Sequence, residues 1–106
     1  MTITIYSKEL YTKDGRRFYV FTTHTKNGAC FNVKFTRASN VAINQKGFFD
    51  LDVPEEALSL QKTKAQEDGR KFPDIIWINQ VKSITPNTTR TLELRKQELE
   101  ELKELF

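Results

Sequence analysis

The first third of the chain alternates apolar and polar residues with a period of two, interrupted twice by tight-turn dipeptides. "TITIYSKELYT", Thr2–Thr12, is rich in β-branched and aromatic residues and predicts a strand. Asp14-Gly15 then predicts a hairpin turn, and "FYVFTTHT", Phe18–Thr25, a second strand. Asn27-Gly28 marks a second turn before "CFNVKFTR", Cys30–Arg37. In that third strand Phe31, Val33 and Phe35 share the face expected to be core, and Asn32, Lys34 and Thr36 take the other. The expected unit is a three-stranded antiparallel meander.

The middle is less regular. "ASNVAINQKG" reads as loop and "FFDLDV" as a short strand. "PEEALSLQKTKAQEDGRK" opens like a helix first turn, with Pro54, Glu55 and Glu56, but its apolar spacing is poor. A short helix and a solvated loop both fit it. Ile75–Ile84, bounded by Pro73 and Pro86, predicts another strand. "TTRTLELRKQELEELKELF" predicts a terminal helix with Leu92, Leu99, Leu102 and Phe106 near one stripe. Residues 1–86 are thus expected to form a β-barrel domain. Residues 87–106 form a helix that packs on it or mediates self-association. The expected fold is mainly β with a C-terminal α-helix, a small five-stranded OB-like Greek-key barrel. An SH3-like barrel and an α+β sheet are the alternatives.

Phe18, Tyr19, Val20 and Phe21 are consecutive, so large side chains must leave the second strand on both sides. Its core face is either Phe18 and Val20 or Tyr19 and Phe21. One consistent assignment puts Tyr6, Lys8, Tyr19, Phe21, Asn32, Lys34 and Trp77 on an outer surface, flanked by Arg16 and Arg17. The competing reading buries Tyr19, Phe21 or Trp77 beneath the terminal helix.

Charge sharpens that picture. The chain has 106 residues and a net charge of +3, enough for one small domain with a mild basic bias. The bias is local: residues 1–53 hold eight Lys or Arg against four Asp or Glu, whereas Arg90 onward holds five Glu against four Lys or Arg.

Candidate chemistry is sparse. The single histidine, His24, and single cysteine, Cys30, cannot supply a structural zinc site. His24 is expected to face solvent and Cys30 to be a small buried hydrophobe. Asp50, Asp52, Glu55 and Glu56 lack the spacing of a calcium loop. No phosphate-binding glycine loop or nucleophile–base pairing is present, so no enzyme, cofactor or metal is expected. No segment has the length of a membrane span and none reads as a secretion signal, so a cytoplasmic location without membrane contact is expected.

An aromatic, cation-ringed sheet suits single-stranded nucleic acid. Tyr19, Phe21 and Trp77 would stack on bases, and Lys8, Arg16, Arg17 and Lys34 would hold the backbone. Duplex readout would want a basic recognition helix, whereas this helix is acidic. From another class, a protein–protein adaptor or inhibitor of a host factor would use the same basic sheet on an acidic protein. Homodimerisation through the helix is a further expected contact.

At "YTKDGRRFYVFTT", "NVKFTR" and "FPDIIWINQVKSI" the chain resembles small proteins of phages and mobile elements of Gram-positive bacteria, some of them similar to OB-fold single-stranded-DNA-binding proteins. The resemblance extends over most of residues 1–86. It implies an OB barrel that coats unpaired DNA (or RNA) during phage replication or recombination, in a bacterial host cell. The end, "ELEELKELF", is acidic and closes on Phe106 as single-strand-binding tails do, but it reads as a helix.

Overall fold

Two four-residue turns set the register of the sheet. Thr12-Lys13-Asp14-Gly15 and Thr25-Lys26-Asn27-Gly28 fold alike: each glycine N–H bonds the threonine carbonyl, at 3.0 Å in both, with the glycine at φ +84° and +85°. Each threonine hydroxyl also accepts the N–H four residues on, from Arg16 at 3.0 Å and Ala29 at 3.2 Å. A side chain would strain at that left-handed glycine, so the sequence admits few other turns here.

The computed structural model describes residues 1–65 and 67–105. Its elements are β1 (Thr2–Tyr11), β2 (Arg17–His24), β3 (Cys30–Phe35), β4 (Gly47–Asp52), β5 (Leu58–Gln61), β6 (Ile75–Ile78), β7 (Ser83–Pro86) and α1 (Thr88–Leu105). Short 3-10 turns lie at Arg37–Ser39 and Glu55–Ala57. The protein is therefore mainly β with one C-terminal helix, and the meander β1–β2–β3 is as expected. None of the described helices is long and apolar enough to cross a membrane.

The expected five-stranded closed barrel is corrected. The described strands form one open mixed sheet in the order β5-β6-β3-β2-β1-β4-β7, antiparallel throughout except for β3 and β6. Two segments account for the difference. Ile75–Ile84 is not one strand: β6 pairs with β3 and β5, then the chain crosses over and β7 pairs with β4. Lys82 N–H bonds the Asp52 carbonyl at 2.7 Å as the crossing ends. The 54–71 stretch is neither a helix nor wholly a loop. Pro54, Glu55 and Glu56 start a single 3-10 turn, and Leu58 and Leu60 then alternate against Ile78 and Ile76 as β5.

The core lies on one face: Ile5, Val33, Phe49, Leu51 and Ile78, closed over by Ile43, Val53 and Ala57 from the connections. Ile5, Leu51 and Ile78 are wholly buried. Each such side chain contributes about 1.5–3 kcal/mol on burial.

The helix begins at Asn87, whose Oδ1 accepts the Arg90 N–H at 3.1 Å and whose Nδ2 donates to Asp50. Thr91 Oγ1 accepts the Phe48 N–H at 2.9 Å. It fits only because Gly47 is bare, as a Cβ there would lie 3.0 Å from that oxygen. Leu94 is half-buried, and beyond it every described helix residue is exposed. Of the expected stripe, Leu92, Leu99 and Leu102 are exposed and Phe106 lies outside the described residues.

Candidate nucleic-acid interface

β2 and β3 are paired over only part of their length. Their ladder runs from His24 opposite Cys30 to Phe21 opposite Val33 and stops. Beyond it, Arg17–Val20 pair with β1 alone, while Lys34 and Phe35 pair with β6 alone. The two halves of the sheet separate there and leave an open cleft of about 610 Å³. Tyr19, Val20 and Phe21 form one wall; Asn32 to Phe35 and Trp77 form the other, and Val41 also lines it. None of the lining residues is acidic.

The rings are placed by neighbours. Phe21 and Phe35 meet edge to face, with centroids 5.3 Å apart and planes at 75°. Trp77 donates its Nε1–H to Gln61 Oε1 at 2.7 Å, and Lys34 Nζ sits 5.6 Å from the indole centroid. This cation–π contact sets an ammonium over the indole, so a positive charge and an aromatic ring occur together at this wall of the cleft.

Of the seven residues singled out from sequence, Tyr19, Phe21, Lys34 and Trp77 line the cleft. Lys8 is exposed and lies opposite Val20, a cleft residue. Arg17 is exposed at the start of β2, on the same side as Tyr19. Arg16 belongs to the turn, where its Nε pairs with Asp14 at 3.0 Å. Its charge is already partnered, although both groups are well solvated and the pair contributes little.

The assignment of Tyr19 and Phe21 to the outer surface is corrected. Phe21 stands opposite Val33 and Ser7, both buried, and packs against the core. Tyr19, two residues away, shares that side and is half-buried. The outward aromatic of β2 is Phe18, 40% exposed, with Val20 next to it on the same side. Sequence reasoning missed Phe18, because the Asp-Gly and Asn-Gly dipeptides mark the turns without stating which residues each turn closes on. The two turns close Thr12 on Arg16 and Thr25 on Ala29, and counting back from them puts Phe21 beside Val33. Cys30, expected to be buried, is exposed opposite the exposed His24.

A second aromatic–cation group lies on the outer side of β1 and β4. Tyr6 and Phe48 are 4.9 Å apart, and the Arg90 guanidinium sits 4.5 Å over Phe48.

The 62–74 connection beside Trp77 is tied down by Asp74, whose Oδ1 accepts the Thr63 N–H at 3.0 Å. That bond, aided by Lys71 at 3.7 Å, holds the Asp74 carboxyl below its ordinary value against the opposing effect of burial. A depressed carboxyl stabilises the folded form above its unfolded pKa, and the contribution is lost as pH falls through the folded one. Exchange protection of the Thr63 amide should therefore persist from neutral pH through the ordinary aspartate range and disappear only on acidification below that range. In Asp74→Ala that amide should be unprotected at every pH. Protection that survives in the variant would mean that the carboxylate does not hold the loop.

The fold and the cleft define a class, a small β-rich protein with a solvent-open aromatic and cationic groove. In comparisons with family models, curated proteins and solved structures, the chain matches none of them.

Proposed function

We propose that the protein binds single-stranded nucleic acid with little sequence preference, through the cleft between β2 and β3 and the adjoining outer side of β6. The observation that carries this reading is the convergence of Tyr19, Phe21, Lys34 and Trp77 on one groove that the terminal helix leaves uncovered. Unpaired bases present π-faces to such a groove, and a duplex does not. Lys8 adds positive charge on the outer side beside Val20, and Arg17 adds it on the Tyr19 side at the start of β2. The cleft is open to solvent and not an enclosed cavity, which suits a polymer better than a buried small molecule.

An OB-like architecture is the finer reading that accompanies the proposal. Its support is the connectivity: a three-stranded meander, a long β1 shared between β2 and β4, and a run of chain, residues 75–86, whose start pairs with β3 and whose end pairs with β4. In OB-folds oligonucleotides cross strands 2 and 3 and the loops after strands 1 and 4. The matching places here are the cleft, the Thr12–Arg16 turn and the 62–74 connection, which carries Lys62, Lys64, Arg70 and Lys71. Arg70 pairs with Asp68 at 3.1 Å, leaving Lys62 and Lys64 as the free cations of that group among the described residues. Together with the resemblance to phage and mobile-element proteins, this favours a role in phage or mobile-element DNA replication or recombination.

The test is fluorescence polarisation of labelled oligo-dT and oligo-U over a salt series. Three to four phosphate contacts should give a slope of log K against log salt of about −2 to −3. Absence of binding at low salt by a folded protein would abandon the proposal in favour of an adaptor that grips an acidic protein surface.

A further inference from the structure

We propose, resting on the binding of single-stranded nucleic acid at the cleft, that the bound strand continues across the outer side of the sheet to a second stacking place at Tyr6, Phe48 and Arg90. The register of the sheet lays out the path. Phe48 stands opposite Tyr6, Tyr6 opposite Thr22, Thr22 opposite Asn32 and Asn32 opposite Ile75, so one row of side chains runs from β4 to β6 on a single face. Trp77 and Lys34, themselves opposite each other, lie two residues along from Ile75 and Asn32 and so on that same face. The middle of the row is low and polar, since Thr22 and Asn32 are small and half-buried.

Shape and charge follow the same line. Asn32 lines the cleft, and its partner Thr22 lines a second open hollow of about 440 Å³ together with Tyr6, Phe48 and Arg90. The two hollows therefore adjoin at the Thr22–Asn32 pair, and no acidic residue among the described residues lines either. Arg90 is exposed, lies over Phe48 and forms no ion pair among the described residues. Its planar guanidinium thus offers a base a cation backed by a ring. Lys8 and Lys34, both exposed, flank the row on one side and mark where the phosphates run. On the other side stands Asp50, whose carboxylate is engaged by the Thr4 hydroxyl at 2.7 Å and the Asn87 amide at 3.3 Å. From β4 to β6 the row crosses about 20 Å of sheet. At ~3.4 Å per stacked nucleotide that span takes about six nucleotides, and fewer in a stretched strand.

Polarisation of labelled oligo-dT of two lengths, about three and about eight nucleotides, tests the path on the full chain. Arg90→Gln, at an exposed site, should unfold like the wild type. It should bind the longer oligonucleotide about five-fold or more weakly and the shorter one nearly as the wild type does. Arg90→Lys should keep the wild-type salt slope and still lose affinity for the longer one, since the ammonium retains the charge and not the planar stack. Photocrosslinking of the wild type to an iodouracil-substituted oligonucleotide of the longer kind should label Tyr6 or Phe48 as well as cleft residues. An unchanged affinity of Arg90→Gln for the longer oligonucleotide, or crosslinks confined to the cleft, overturns the second place and leaves the cleft standing. Equal loss at both lengths also overturns it, because Arg90 would then act at the cleft or through the fold. Absence of binding at either length removes the cleft and the path together.

Discussion

Trp77→Ala is expected to weaken oligo-dT binding by about 5- to 150-fold, because one base–aromatic stack contributes about 1–3 kcal/mol. The indole is the most favourable of the cleft's rings for this purpose. It faces away from the core, its edge is fixed by Gln61, and Lys34 stands beside it. Tyr19→Ala should have a smaller effect, since that ring is half-buried on the core side. Lys34→Gln should act differently from either. Removing one phosphate contact lowers the salt slope by about 0.7 and leaves residual binding that salt affects less. If Trp77→Ala and Lys34→Gln bind like wild type while binding itself persists, the nucleic acid lies elsewhere. The Tyr6–Phe48–Arg90 group would then be the place to look.

Ile78→Ala is expected to be the most destabilising of the single changes considered, at about 2–5 kcal/mol in denaturant unfolding. Ile78 is wholly buried and stands opposite Phe35 on β3 and Leu58 on β5, and its carbonyl accepts the Thr36 N–H at 3.0 Å. Truncation there empties a site that three stretches of chain enclose. A domain of this size has a total stability of only about 5–15 kcal/mol. Trp77 next to it points the other way, so the two adjacent substitutions should separate cleanly. Trp77→Ala should lose affinity and keep most of its stability, and Ile78→Ala the reverse at temperatures where it stays folded. Equal loss of stability in both would show that Trp77 is a packing residue.

Reading the helix stripe as a lid shows where sequence logic stops. Leu92, Leu99 and Leu102 repeat at helical spacing, which says that one side is apolar but not what it meets. In the fold the helix touches mainly β4, at its beginning, where Thr91 fits over Gly47. The cleft is uncovered as a result. The split of Ile75–Ile84 into two strands is a similar case. "IIWINQVKSI" reads as one β run, and nothing local announces a change of partner after Ile78. The change comes from the distance between β3 and β4, which the same run must serve in turn.

Local rules alone determined the meander, its two turns, the buried side of β3 and the terminal helix. Each depends on contacts a few residues apart: alternation along a strand, a left-handed glycine, a capped first turn. Tertiary structure decided the rest. Whether Tyr19 and Phe21 face in or out depends on which strand face meets Ile5, Val33 and Leu51, and a cleft exists because β2 and β3 follow different partners past Phe21. Pairing across long stretches of chain depends on every competing strand at once. A window of ten residues does not contain that information.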